Sequence, residues 1–197
     1  MLIDREQKRP GTLHRVGGHP ALDFANTISW RDTPHRLDHL QTPEDLVLWA
    51  RQTDVPGMEP LPAFPAAAQA LLGRCVTLRG AILEAGLALA AGREAPPAAL
   101  SAILAAAAEA ASHLRLIPAP GPYALRGRGL DSLPGLLAWS MLDLLRSDRL
   151  AGLKCCPAHD CGWLFLDTSR NRSRRWCAMA SCGNRAKARQ FRTAHRI

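Results

Sequence analysis

Two cysteine pairs with the same internal spacing, Cys156-x4-Cys161 and Cys177-x4-Cys182, lie in the last quarter of this 197-residue chain. Four soft sulfur donors on two short, equal loops suit a tetrahedral ion bound at about 2.3 Å, and a hairpin between the pairs would bring them together with little strain. Four thiolates leave no open coordination position, so the expected occupant is one structural Zn2+ held by Cys156, Cys161, Cys177 and Cys182. Two disulfides are the rival reading, and they require an oxidising compartment. Residues 1–11 are charged and lack the apolar run of a secretory signal, which points to the cytoplasm. Cys155 adjoins Cys156, and His159 lies inside the first pair, so either is an alternative ligand. Cys75 stands apart: Leu71, Cys75, Leu78, Ile82, Ala85 and Leu89 recur at helical spacing, which reads as a small buried side chain on an apolar face.

The charge is as localised as the sulfur. Residues 154–197 hold ten Lys and Arg against two acids, Asp160 and Asp167, and the whole chain's net charge is +8, so the remainder is neutral. A cationic excess confined to one small module is the electrostatic footprint of a polyanion binder. After the last cysteine, Arg185, Arg189, Arg192 and Arg196 fall on one narrow arc of a helix at about 100° per residue. Ala188, Phe191 and His195 lie on a flank expected to pack back on the cysteine loops, turning the arginines outward. No acid sits four residues away to relieve their repulsion, so a partner from outside is expected to supply the negative charge. Arg170, Arg172, Arg174 and Arg175, with Lys187, complete the candidate nucleic-acid-binding set. Arg185 is open to two readings, a contact to nucleic acid or a bond to a ligand sulfur. Between the pairs, residues 163–166 read as a short strand, and Trp163 and Trp176 as a miniature core in preference to base-stacking platforms. Gly183 is expected to adopt a conformation closed to other residues, and Asn184 to cap the helix that follows.

Cys156-x4-Cys161, Trp163-Leu164-Phe165-Leu166-Asp167-Thr168-Ser169, Arg174-Arg175-Trp176-Cys177 and Cys182-Gly183-Asn184-Arg185 together resemble the CGNR zinc finger family across residues 154–192. The resemblance implies that the four cysteines ligate zinc and that the finger contacts double-stranded DNA. The doubled Cys155-Cys156 is the departure from the pattern.

Upstream the chain reads as mainly α with a few short β-strands: a helical domain over residues 1–150, followed by a small four-cysteine zinc finger over 151–197 made of a short β hairpin and a basic helix. Pro20 suits the first position of a helix over 21–30, and Thr42-Pro43-Glu44-Asp45 joins an N-cap, an N1 proline and an N3 acid for a helix to residue 53. Pro56, Pro60, Pro62 and Pro65 impose an irregular link. Helices follow over 66–92 and 97–112, two short strands over 114–117 and 123–126, and a last helix over 134–146 that is apolar nearly all round and therefore central. No run of eighteen apolar residues exists, so no membrane partner is expected.

Residues 18–27 (Gly-His-Pro-Ala-Leu-Asp-Phe-Ala-Asn-Thr), Asp38, and residues 42–49 resemble the ABATE domain, which commonly precedes a CGNR finger. That resemblance implies a bacterial transcription regulator linked to stress, with the first domain sensing an effector or assembling a homodimer. Asp23, Asn26 and Arg31 are the candidate effector-pocket residues, with helix capping and a buried hydrogen-bond network as the preferred account of them. Arg126 and Arg128 are further candidates for an acidic ligand. An RNA-binding or protein-interaction module on the same finger is the alternative function. No enzyme is expected: the closed site admits no substrate, and no zinc-deaminase pattern, phosphate-cradling glycine loop or nucleophile elbow is present.

Overall fold

A computed structural model describes residues 13–53, 55 and 68–195. The proline-rich link, residues 1–11 and Arg196 lie outside them. The elements are α1 (Pro20–Ala25), β1 (Ile28–Ser29), β2 (Leu37–Asp38), α2 (Pro43–Thr53), α3 (Ala68–Ala90), α4 (Pro97–Ala110), β3 (Leu114–Ala119), β4 (Gly121–Gly127), α5 (Leu133–Leu145), β5 (Leu153–Cys155), β6 (Leu164–Leu166) and α6 (Asn184–Ala194). The strands form three separate antiparallel pairs, β1-β2, β3-β4 and β5-β6. The mainly helical class is as the sequence leads one to expect.

Local chemistry sets the boundaries. At α2, Thr42 and Asp45 bond reciprocally: the Asp45 amide donates to the Thr42 hydroxyl at 3.3 Å and the Thr42 amide to the Asp45 carboxylate at 2.9 Å. That is a capping box with Asp in place of Glu. The first helix is shorter than the expected 21–30. It ends at Ala25 because the Thr27 hydroxyl folds back onto the Phe24 carbonyl at 2.8 Å, and Trp30 adopts φ 50°, which no α-helix accommodates.

Helix α5 is central, packing against α1, α3 and α4. Its Leu133, Leu137, Ala138 and Met141 are fully buried. Cys75 is also fully buried, and burial pushes its thiol up to about 12. Arg79 of α3 is enclosed as well, its guanidinium donating to both Asp38 oxygens at 2.7 and 2.5 Å and to the Thr27 hydroxyl at 3.0 Å. Burial works against the Asp38 carboxylate, but the bonds from Arg79 hold its pKa below the ordinary value. This pair ties the β1-β2 segment to α3.

The cysteine-bearing module is seated in this core. Leu153, Leu164 and Leu166 of β5 and β6 belong to the same buried cluster as α1, α3 and α5. Gly86 of α3 makes the approach possible, since a Cβ there would stand 2.5 Å from Leu164 Cδ1.

Candidate metal centre and basic helix

Strands β5 and β6 pair through Leu153–Leu166, Lys154–Phe165 and Cys155–Leu164, so the first cysteine loop is the turn of this hairpin. The expected arrangement, with the hairpin between the two loops, is therefore different in detail: the hairpin flanks the first loop and presents it to the second. Within that loop the Cys156 amide donates to the Trp163 carbonyl at 2.8 Å and the Cys161 amide to the Ala158 carbonyl at 3.0 Å.

The Sγ atoms of Cys156, Cys161, Cys177 and Cys182 all lie within 4.8 Å of one another, and the Cys161–Cys177 and Cys177–Cys182 separations are 3.6 Å. Four sulfurs at about 2.3 Å from a tetrahedral ion stand about 3.8 Å apart, so the donor set fits one zinc. Cys155 is not in the cluster; its thiol meets the Gly162 carbonyl at 3.4 Å. His159 is not in it either. The ambiguity in the first ligand resolves to Cys156. Hydrogen bonds from the other three sulfurs pull the Cys156 thiol far below its ordinary pKa, while the bond to Cys156 pushes Cys161 far above it. The sulfurs share their protons unevenly, and a dication removes that competition by favouring all four thiolates at once.

The second loop is braced from beneath. Arg174 spans carbonyls of the second loop, of β6 and of the N-terminal segment: Nε donates to Trp176 at 3.0 Å, Nη1 to Leu166 at 3.4 Å, and Nη2 to Val16 at 3.4 Å and to Cys177. Its guanidinium also lies over the Phe165 ring at 4.6 Å. Lys154 Nζ donates to Asp167 at 2.7 Å and to the Arg172 and Arg174 carbonyls at 2.5 and 3.0 Å. Against the push of burial, Lys154 and Ser169 hold the Asp167 carboxyl well below the usual carboxylate range.

Gly183 has φ −64°, an ordinary helical value, so its role is not the backbone freedom expected of it. Space is tight there: a Cβ would displace Met179 Sδ and stand 3.1 Å from Trp176 Cδ1. Nor does Asn184 cap a new helix: residues 179–183 form a π-turn that runs directly into α6, and the Asn184 side-chain amide donates back to the Ala180 carbonyl at 3.2 Å.

Two arginines of α6, Arg185 and Arg189, are not turned away from the cysteine loops. Arg185 Nη2 donates to Cys182 Sγ at 3.2 Å and to Asp160 at 3.5 Å, and Arg189 reaches the same carboxylate at 3.4 Å. The acid that relieves their repulsion comes from the first cysteine loop, not from outside. The flank expected to pack inward does the opposite: Phe191 is 64% exposed and stacks on His195, with ring centroids 4.0 Å apart. Arg170, Arg175, Lys187 and Arg192 are exposed or partly exposed and form no ion pair among the described residues. Arg172 donates to the Ala151 carbonyl at 3.1 Å, and Arg175 lies over Trp176 at 5.0 Å.

Asp23, Asn26 and Arg31 each bond to main-chain groups of another segment. Asp23 accepts from the Gly17 amide at 2.9 Å. Asn26 donates to the Leu164 carbonyl and accepts from the Leu164 amide, both at 2.8 Å. Arg31 donates to the Gly162 carbonyl at 3.3 Å. The Leu166 amide adds a bond to Gly17 at 2.9 Å and Trp163 Nε1 one to Ile28 at 2.9 Å. Arg128 borders a cavity alongside Arg74, Arg115 and Asp131.

A helical domain into whose core is set a closed four-sulfur finger ending in a basic helix defines a two-part zinc-finger protein. The comparisons agree. Residues 18–148 match the ABATE family, described as "putative stress-induced transcription regulator", and residues 153–195 match the CGNR zinc finger. The ABATE match spans well over half of the chain, and the protein belongs to that family. No curated protein matches the chain. No helix among the described residues is long and apolar enough to cross a membrane.

Proposed function

We propose that this protein is a zinc-dependent regulator that binds double-stranded DNA through its finger. The observation that carries the reading is the set Arg170, Arg175, Lys187 and Arg192: solvent-accessible, without acidic partners among the described residues, and borne on a module whose net charge accounts for the chain's entire excess. Zinc holds the two loops in register, and the helical domain supplies sensing or dimerisation. Arg174, with its bonds and contacts to the interior, and Arg185, bonded to a ligand sulfur, serve the architecture of the finger in this reading.

The test is binding of the zinc-loaded full chain to duplex DNA across a salt series. Four phosphate contacts give a logarithmic slope of about −3.6, at about −0.9 each, and Arg192→Ala or Lys187→Ala removes about one contact's worth. Affinity indifferent to salt would sink the proposal and favour a protein partner; preference for single-stranded RNA would favour stacking on exposed aromatic rings.

A further inference from the structure

Between Glu109 and Asp131 the chain carries three arginines, Arg115, Arg126 and Arg128, and no acid, although residues 1–153 as a whole are neutral. The β3-β4 hairpin fixes their placement. Its register sets Arg115 directly opposite Arg126, while the alternate residues Leu114 and Leu125 pack on the core, so the two arginines share the outer face. Arg128 follows two residues on, at the start of a braced turn. There the Ser132 hydroxyl donates to the Gly129 carbonyl at 2.7 Å, and Gly127 lies so close to Ser132 that a Cβ would collide with it. Arg115 and Arg128, from the two ends of this segment, line one cavity together with Ser112, Arg74 and Asp131.

The balance of charge in and around that cavity is positive. Asp131 is already engaged with Arg74 at 3.8 Å, and Arg74 also meets Glu109 at 2.8 Å, so these three account for one another. Arg115, Arg126 and Arg128 are exposed, and none of them forms an ion pair among the described residues. Like charges directly opposite one another destabilise a strand pair, and no described acid offsets the Arg115–Arg126 pair. A merely solvated face would explain neither that opposition nor the concave setting of Arg115 and Arg128. Guanidinium chemistry says what fits. Each arginine presents a planar fork of donors matched to two oxygens of one anion. The two oxygens of a carboxylate satisfy one fork, whereas a phosphate monoester carries about −1.5 to −2 charge at neutral pH and three acceptor oxygens, enough to engage two arginines.

We propose that this cavity binds a small phosphorylated ligand, its phosphate group held by Arg115 and Arg128 and attracted also by Arg126. The lining contains no residue of the finger, so the site stands or falls separately from DNA binding.

Three probes test it on zinc-loaded full-length protein: inorganic phosphate, acetate as a singly charged control, and a short DNA duplex. Each is titrated at constant ionic strength and about pH 7.5, where phosphate is largely doubly charged, while backbone amide resonances are followed. Phosphate is expected to shift Ser112, Arg115, Arg128 and Ser132 saturably, with half-saturation near about 1 mM and affinity at least about tenfold above acetate. Arg115→Gln and Arg128→Gln should each weaken phosphate about tenfold. Arg93→Gln, which removes an exposed arginine outside the cavity, should change nothing. Glutamine keeps a polar side chain at each position, and unaltered amide shifts in α3 and α5 confirm that the variants are folded. Equal affinity for acetate, an equal loss from Arg93→Gln, or no saturable shift up to about 20 mM phosphate would each overturn the proposal. So would shifts at these residues with the duplex but not with phosphate, which would make the face a contact for the DNA backbone.

Discussion

Asn26 joins the two family units by two hydrogen bonds from one side chain. Its amide meets both main-chain groups of Leu164 at 2.8 Å, as an adjacent strand residue would. Only a side chain that both donates and accepts can do this, and each buried main-chain group left unmatched costs about 1–3 kcal/mol. Asn26→Ala should therefore lower the urea-unfolding free energy of the zinc-loaded protein by about 2–4 kcal/mol, and Asn26→Asp, which loses the donor and buries a charge, by at least as much. An unchanged unfolding midpoint would show that this clamp is dispensable. Arg185 works at the same scale. Because it donates to a ligand sulfur, Arg185→Ala should weaken zinc retention against a chelator about tenfold, within the 10–100-fold range usual for groups that orient metal ligands. A variant that keeps its zinc yet loses DNA binding would instead place Arg185 at the nucleic acid.

Among the elements, α1 and its N-cap carry two titratable groups that act in opposite senses. Burial raises the Asp23 carboxyl to about 6, and the Gly17 amide only partly offsets that; burial, with Arg149 nearby, lowers His19 to about 4. The folded protein holds more protons than the unfolded chain at Asp23 between about pH 4 and 6, so that group's contribution falls as pH rises. At His19 the unfolded chain holds more protons between about pH 4 and 6.5, so its contribution is lost as pH falls. Asp23→Asn keeps an acceptor for Gly17 and should leave only the histidine's trend: stability, followed by urea unfolding, then climbs from pH 4 to 6.5 more steeply than in the wild type. An identical slope in both proteins would deny Asp23 its raised pKa. Helix α1 also shows where the sequence stops being legible. The capping box at Thr42 and Asp45 and the period of α3 and α5 are written locally, and the structure follows them. The fate of Asn26 and the partner of Arg185 and Arg189 depend on residues outside their own segments, Leu164 and Asp160, which no local pattern points to. The metal ligands were readable because equal spacing is itself the signal. The orientation of α6 was not, because its arc of arginines is equally consistent with facing solvent or facing one well-placed acid.

At the scale of the molecule, the finger is not an independent appendage, and this changes what losing the metal does. Leu153, Leu164 and Leu166 lie in the main core, while Phe165 and the buried cysteines form a smaller cluster with Trp163 and Trp176. The hairpin is held by apolar burial, by Asn26 and by Gly17; the second cysteine loop has the sulfurs, Arg174 and the small cluster; α6 has no buried residue. Zinc binding energy is therefore the folding energy of the second loop and α6, but not of β5 and β6. Cys177→Ser should release zinc and bring the amides of residues 177–195 to rapid hydrogen exchange. The Leu164 and Leu166 amides, bonded to Asn26 and Gly17, should stay protected along with α3 and α5. If protection at Leu164 and Leu166 collapses together with that of α6, the metal is holding the hairpin as well, and the seating of β6 against Gly86 contributes far less than its burial implies.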